Sequence, residues 1–309
     1  MSSIRLGNAP CSWGSLEFEG LGGQPLTCER MLDELAETGY CGTEFGDWGF
    51  MPTEPAALRA VLEPRGLTMV GAFVPVRFCS EAAHAAGAEA AVRVARLLAG
   101  AASPDHAPMI ILADDNGSVA QRTENAGRVT AAMGLCDAGW ALFAKGVETV
   151  ARAVREATGL PVGFHHHCAG YVETPDEIDA LLQRTSPELL GLVFDTGHFA
   201  FGAGDRDGSQ TRAGLERFAD RMVHMHYKDC APEVAAQAAA EGWDYFQSVG
   251  KGVFCELGKG CVDFPWTTQW LRGRDYNGFI TVEQDVLPGM GAPKESARRN
   301  RDYLKTLEL

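Results

Sequence analysis

Four short apolar segments of this sequence end in side chains that can bind a metal ion or transfer a proton. Such runs are typical of parallel barrel strands, which present functional side chains at their C-terminal ends. Imidazole with carboxylate suits divalent manganese, iron, cobalt or zinc, whereas carboxylates and carbonyls alone would suit magnesium or calcium. The pattern therefore predicts a metalloenzyme. The segments are Val162–His167, Leu192–Asp195, Val223–Asp229 and Phe279–Asp285.

Strand geometry sorts the side chains of these segments into groups. Successive residues of a strand point to opposite faces, so residues two apart share a face. A single histidine is more often a hydrogen-bonded core or rim residue than a ligand. Four strand ends that converge on one rim nevertheless favour a metal site. The groups that share a face are His165 with His167, His224 with His226 and Lys228, and Glu283 with Asp285.

Eight segments of strand type alternate with helical patterns along the chain. This alternation implies parallel strands with helical crossovers, and eight units are the number that closes a barrel. A doubly wound open sheet is the alternative, but no glycine-rich phosphate loop follows the first strand. We therefore predict one α/β domain over residues 1–309, a single (β/α)8 TIM barrel. The predicted strands are Arg5–Ala9, Gly42–Phe45, Thr68–Phe73, Met109–Ala113, Pro161–His165, Leu190–Asp195, Met222–Tyr227 and Gly278–Glu283. The predicted helices are Cys28–Thr38, Glu54–Glu63, Ser80–Ala99, Gly134–Ala157, Asp176–Gln183, Thr211–Ala219 and Trp266–Leu271.

Two connections between predicted elements are long, Gly202–Gln210 and Cys230–Asp263. Long loops at the C-terminal face of a barrel carry lids and substrate contacts. Within the second, Gly250–Gly252 lacks the strand-to-helix context of a phosphate loop, and we expect this short stretch to be a flexible lid. Trp13 and Trp48 follow the first two strands and are candidates for an apolar wall against a sugar ring.

Composition and charge exclude several classes of function. The chain has 27 basic and 41 acidic residues and a formal charge of −14, which disfavours binding to nucleic acid or anionic membranes. Its nine cysteines are scattered, with no CxxC pair, as in a protein with reduced thiols. Neither a signal-peptide core nor a membrane-spanning apolar run is visible. We therefore expect a cytoplasmic enzyme that acts on a small molecule.

Several motifs of the chain resemble one superfamily. They match the sugar phosphate isomerase/epimerase superfamily of xylose isomerase-like TIM barrels over nearly the whole chain. The resemblance implies that fold and an activity on sugars or polyols. The motifs are Asn8–Gly14, Gly42–Gly46, Phe194–His198, His224–Asp229 and Gly258–Phe264.

The resemblance also implies a ligand set for a divalent metal. Members of the superfamily hold manganese, cobalt, magnesium or zinc with Glu, Asp, His and Glu from four strands. The last three correspond to Asp195, His226 and Glu283. The first glutamate is replaced here, and either His165 or His167 would take its place, with His165 preferred by register. Manganese or cobalt is the preferred metal, and zinc or magnesium is the alternative.

The histidine-rich strand end resembles the inosose dehydratase branch of the superfamily. Epimerases of this type shuttle a proton between two glutamates, and a histidine in place of one removes half of that arrangement. The expected activity is therefore dehydration of 2-keto-myo-inositol, a step of inositol catabolism, or of a related keto polyol. Lys228 or His198 would transfer protons, and Glu44 would bind a substrate hydroxyl. Lys228 could instead pair with Asp229, His198 could orient Asp195, and Glu44 could form a rim salt bridge.

Other functions remain open from the sequence. The same site could serve a sugar or sugar phosphate isomerase or epimerase, or β-elimination of a 3-keto glycoside. Endonucleases of related fold bind zinc and DNA, which the acidic charge disfavours. A protein that binds a ligand without catalysis is the last alternative. Barrels of this superfamily often pair, so a homodimer is possible.

Overall fold

Eight parallel strands close into a barrel in the computed structural model, which describes residues 4–14, 26–287 and 289–309. The barrel strands follow one another in chain order around the ring, and the last strand pairs with the first. This confirms the predicted (β/α)8 fold. The barrel strands are β1 Ile4–Asn8, β2 Gly42–Glu44, β3 Thr68–Val76, β4 Met109–Asp114, β5 Val162–His165, β6 Gly191–Asp195, β7 Met222–Tyr227 and β10 Gly278–Val282. Two further strands, β8 Asp229–Cys230 and β9 Phe254–Cys255, form a small antiparallel sheet outside the barrel.

Helices occupy the connections between the barrel strands. All seven predicted helices are present, with ends that differ by at most three residues. Thr174 and Glu177 form the capping box that starts the sixth helix. The helices are α1 Cys28–Glu37, α2 Pro55–Leu62, α3 Glu81–Ala101, α4 Ala120–Glu124, α5 Asp137–Thr158, α6 Pro175–Gln183, α7 Thr196–Gly202, α8 Ser209–Phe218, α9 Pro232–Glu241, α10 Tyr245–Gly250, α11 Phe264–Gly273 and α12 Pro293–Thr306.

The connection Cys230–Asp263 differs from its prediction as a long loop. It contains α9, α10 and the small sheet of β8 and β9. The amphipathic signal of α9 is weak because alanine fills most of its positions, although alanine itself favours a helix, and α10 is only six residues long. Much of this connection is therefore regular structure packed over the C-terminal end of the barrel.

The apolar core lies mainly between the strands and the surrounding helices. A second, small cluster of Phe73, Met109, Ile111 and Val193 fills part of the barrel interior. Nearer the C-terminal ends of the strands, the buried side chains become polar, among them Glu44, His224 and Thr281. The barrel is thus apolar at mid-height and polar toward the end where the predicted site lies.

The N-terminal end of the barrel is built from tight turns. Gly66, before β3, and Gly159, at the end of α5, have φ angles of +63° and +73°, which glycine adopts without strain. The guanidinium of Arg5 lies 4.2 Å from the ring centre of Phe279 and contacts His106. Within the described ranges, no helix is long and apolar enough to cross a membrane.

Candidate metal centre and its cavity

Four barrel strands bring His165, Asp195, His226 and Glu283 together. His165 and Asp195 are the last residues of β5 and β6, His226 lies in β7, and Glu283 directly follows β10. The strand register aligns Asp195 with His226. One ligand atom from each of the four residues lies within 4.8 Å of the others. A divalent ion bound at about 2.1 Å from each ligand fits such a group after small side-chain shifts.

Unsatisfied polar atoms in this group point to a cation. His226 Nδ1 lies 3.2 Å from Glu283 Oε1 and 3.8 Å from Asp195 Oδ2, yet it makes no well-directed hydrogen bond to any described residue. Asp195 Oδ2 is likewise buried without a hydrogen-bond donor in the described part of the chain. Two carboxylates and two neutral imidazoles carry a charge of −2, which matches a divalent ion. The residues present therefore fit a resident metal.

Glu44 and His224 orient His226. The Nε2 of His226 donates to Glu44 Oε1 at 2.9 Å, and His224 Nε2 lies 3.5 Å from the same oxygen. A proton held on Nε2 leaves Nδ1 with the lone pair that a metal ligand needs. Glu44 therefore forms the buried carboxylate and histidine pair that commonly supports a metal ligand, and it also lines the cavity.

The pKa shifts show a strongly negative potential around His226. Burial alone would lower the pKa of His226, but the carboxylates of Glu44 and Glu283 raise it well above its ordinary value. Burial acts in the opposite direction on Glu44, yet His226 and His224 hold the pKa of Glu44 at about 2. A site that favours a proton this strongly also favours a metal cation.

His165 and His167 differ in position although they share one face. His165 belongs to the four-residue group, whereas His167 Nδ1 hydrogen-bonds to the Cys168 carbonyl at 2.6 Å. The imidazole of His167 lines the cavity. The ring of His166 lies on the other face between Phe194 and Phe199, as the strand parity predicted. The geometry thus favours His165 over His167 as the fourth ligand.

Lys228 and His198 lie beside the group. Lys228 Nζ is 3.4 Å from Glu283 Oε2, 3.2 Å from Asp285 Oδ2 and 3.4 Å from His198 Nε2. Burial alone would lower the pKa of Lys228, but Asp285 and Glu283 raise it well above its usual value. Burial, together with His167 and Lys228, lowers the pKa of His198 well below its usual value. The pair therefore combines a cationic ammonium with a neutral imidazole.

Asp229 does not pair with Lys228, the alternative considered from the sequence. Its carboxylate accepts hydrogen bonds from the backbone N–H groups of Gly258, Gly260, Val262 and Cys230, at 2.8–3.1 Å. Asp229 therefore shapes the segment that follows β9, while Asp285 and Glu283 neutralise Lys228. The backbone N–H of His198 donates to Asp195 Oδ1 at 2.8 Å, so Asp195 also caps α7.

An open cavity lies above the four-residue group, and His165 and Glu283 of this group line it. The sequence suggested that Trp13 and Trp48 form an apolar wall, but neither residue is among those that line this cavity. Trp13 is buried and donates to Glu34, while Trp48 is 41% exposed and stacks on Arg93. The described lining residues are Ala9, Pro10, Cys11, Glu44, Gly46, Asp47, Phe73, Pro75, Asn116, His165, His167, Phe246 and Glu283.

Sequence reasoning missed several residues at this site. Phe246 comes from α10, inside a segment predicted to be a loop, and no local signal marked it. His224 had a usable signal, because strand parity placed it beside His226. Asp285 was grouped with Glu283 by parity, but its contact with Lys228 depends on how β7 and β10 pair.

Fold and site together define a TIM-barrel enzyme that acts on sugar-like molecules. The chain belongs to the xylose isomerase-like TIM barrel family, whose model matches residues 32–307. It is 30% identical over 307 residues to the inosose dehydratase of Geobacillus kaustophilus (strain HTA426), covering 99% of this chain and 96% of that protein.

Two solved structures share the fold at low sequence identity. One is the probable 3-DHS dehydratase of Bacillus anthracis involved in petrobactin synthesis, with a TM-score of 0.65, 13% identity, and coverage of 97% of this chain and 98% of that one. The other is the 3-keto-D-glucoside 4-epimerase of E. coli, with a TM-score of 0.65, 14% identity, and coverage of 99% and 100%. At these identities the likeness shows the fold alone.

Proposed function

We propose that the protein is a metal-dependent hydro-lyase that dehydrates 2-keto-myo-inositol or a closely related keto polyol. The observation that carries the proposal is the group of His165, Asp195, His226 and Glu283, two of which line the cavity, with the pair of Lys228 and His198 beside it. The two lining residues are His165 and Glu283. The similarity to inosose dehydratase over nearly the full length of both chains supports the choice of substrate.

The metal is proposed to be held by His165, Asp195, His226 and Glu283. The resemblance to the superfamily implies manganese or cobalt, with zinc or magnesium as alternatives, and two imidazoles with two carboxylates suit a divalent ion of this kind. When bound, the ion supplies Lewis acidity that stabilises negative charge on the ketone and adjacent hydroxyl oxygens. Glu44 keeps the Nδ1 of His226 turned toward the other three ligands.

Dehydration requires a base for the proton next to the carbonyl and an acid for the departing hydroxyl. Lys228 is held as an ammonium by Glu283 and Asp285, so its Nζ is the proposed proton donor. His198 is buried and neutral and is the proposed acceptor. Because water would compete for these protons, Phe73 and Phe246 at the cavity wall help by excluding it.

The test is a turnover assay on metal-depleted protein. We expect 2-keto-myo-inositol to give a dione band in the ultraviolet only after manganese or cobalt is added, with loss of one water confirmed by mass spectrometry. A new ketose without an ultraviolet band would indicate an epimerase instead. Release of aglycone from a 3-keto glycoside would indicate β-elimination of that class. Bound metal with none of these products would refute the proposed substrate.

A further inference from the structure

We propose that the turn Cys168–Glu173 is a rigid clamp that positions the histidines at the end of β5, with Glu173 as its main positioning residue. The inference rests on the metal site of the proposed function. The turn follows directly on His165 and His167, and buried side chains from three other elements hold it.

Two residues of the turn have backbone conformations that side chains disfavour. Ala169 and Val172 have φ angles of +73° and +68°, and both are fully buried. A positive φ at a β-branched residue such as Val172 is rare. Such conformations persist only where the surroundings over-determine them, and they cluster at functional sites. The chain uses glycine for this purpose at Gly66 and Gly159.

Glu173 holds the first part of the turn. The side chain is 1% exposed, its Oε1 accepts from Gly127 N at 2.7 Å, and its Oε2 accepts from Ala169 N at 3.0 Å. One carboxylate therefore ties the strained residue to the segment between α4 and α5. Burial of a carboxylate costs free energy, and the hydrogen bonds from the N–H groups of Gly127 and Ala169 offset part of that cost.

Arg122 and Asp114 hold the middle of the turn. Arg122 is fully buried, and its Nε donates to Gly170 O at 2.8 Å while both terminal nitrogens bind Glu177. Asp114 Oδ2 accepts from Tyr171 N at 2.9 Å. The turn is therefore fixed to β4, α4 and the start of α6 at the same time.

The first residue of the turn transmits this order to the site. The carbonyl of Cys168 accepts from His167 Nδ1 at 2.6 Å, and the backbone N of Cys168 lies 3.4 Å from His198 Nδ1. The rings of His167 and His198 are 3.9 Å apart, and each lies 5.5 Å from the ring of His165. A shift at Ala169 would therefore move two imidazoles that pack together against one side of His165.

The experiment is a cobalt titration of metal-free protein with Glu173→Gln beside wild type, read by the visible absorption of bound cobalt. The amide cannot accept from both N–H groups, because one of its ends is a donor. The titration is done well below the melting temperature of the variant. We expect the cobalt Kd to rise about 10-fold or more and the absorption bands of bound cobalt to change position. Unchanged Kd and spectrum would overturn the proposal.

Asp205→Asn is the matched control. Asp205 is 2% exposed and also accepts backbone N–H groups, from Gly208 at 3.0 Å and Thr211 at 2.7 Å, but it orders the turn after α7. We expect it to lower the melting temperature without changing the cobalt spectrum. An equal change of spectrum in both variants would overturn a specific role for the clamp.

Ala169→Gly decides the question if Glu173→Gln does not fold. Glycine relieves the positive φ and leaves the clamp residues in place, so the protein should fold while the turn becomes looser. We expect a cobalt Kd several-fold higher than that of wild type, and an unchanged Kd would count against the proposal. Wild type that binds no cobalt would refute the metal site itself, and the clamp with it. If wild type binds cobalt, and Glu173→Gln and Ala169→Gly bind it with the same Kd and spectrum, the clamp alone is refuted.

Discussion

The chain turns at both ends of the barrel, but different kinds of residue adopt the positive φ angles at the two ends. At the N-terminal end, Gly66 and Gly159 take positive φ angles with open space where a side chain would be. At the C-terminal end, Ala169 and Val172 take similar angles while buried and clamped. The first solution is unstrained, and the second requires a rigid surrounding. Among the described residues, the two buried positions other than glycine with a positive φ lie at the end that carries the candidate site, whereas Asp275 at the opposite end is exposed.

This contrast separates stability from function along one barrel. Active sites of TIM barrels lie at the C-terminal face, and the opposite face serves stability. Substitutions at the C-terminal end should therefore change metal binding and turnover more than folding. Substitutions at the N-terminal end should do the reverse, and each prediction below tests one side of that statement.

The largest effect is expected for Asp195→Asn. The amide oxygen can still cap α7 by accepting from His198 N, so the fold should persist. The charge facing His165 and His226 is lost, and we expect turnover and metal affinity to fall by about 1,000-fold or more. Metal content by elemental analysis and the melting temperature check both parts. Full metal occupancy in this variant would remove Asp195 from the ligand set.

The pH dependence of stability should report on Glu173. Burial raises the pKa of the Glu173 carboxyl from its ordinary value of 4.5 to about 7, although Arg122 lowers it in part. Between pH 4.5 and pH 7, the folded protein therefore keeps a proton on Glu173 that the unfolded chain has released. This contribution to stability is complete below pH 4.5 and is lost as the pH rises through 7, by on the order of 3 kcal/mol.

Urea unfolding at pH 5 and pH 8 measures this loss. Because Gln does not titrate, Glu173→Gln should remove most of the difference between the two pH values. Asp114, whose pKa is raised to about 6 by burial, contributes in the same direction and remains in the variant. Parallel pH profiles for wild type and Glu173→Gln would show that Glu173 is ionised throughout this range.

A smaller effect is expected for Glu44→Gln. If Glu44 orients His226, the metal Kd should rise by about 10- to 100-fold. If Glu44 instead binds a substrate hydroxyl, as the sequence suggested, KM should rise while the metal Kd stays constant. Glu256→Gln is the control, because that carboxylate pairs with Arg299 and Lys259 away from the barrel interior.

The fold could be predicted closely because parallel barrel strands leave strong signals. The apolar runs are short and bounded by Gly or Pro. Strand parity could pair only residues of one strand, such as His224 with His226, and the meeting of His165, Asp195, His226 and Glu283 follows from the barrel that aligns the four strand ends. β3 alone extends well beyond its prediction of Thr68–Phe73, to Val76, and it includes Pro75, a residue that is uncommon inside a strand.

The support around the site could not be predicted, because it depends on contacts between distant segments. Arg122 lies in a polar stretch that is typical of an exposed loop, yet it is fully buried against Gly170 and Glu177. Phe246 reaches the cavity only because α10 folds back over the barrel. Nothing in the local sequence around Ala169 indicates its positive φ.

The smallest effect is expected at the N-terminal end, for Gly159→Ala. Gly159 ends α5 in the left-handed region and donates its N–H to Arg155 O at 2.8 Å. Alanine is disfavoured at this φ by roughly 1 kcal/mol, although no atom would contact its side chain within 4 Å. We expect urea unfolding to show that loss with unchanged metal Kd and turnover. Gly273→Ala is the control, because Gly273 closes α11 at a helical φ with equal space, so stability should stay constant or rise. A drop in turnover for Gly159→Ala without loss of stability would show that the two ends are coupled, and the separation proposed for this barrel would then be wrong.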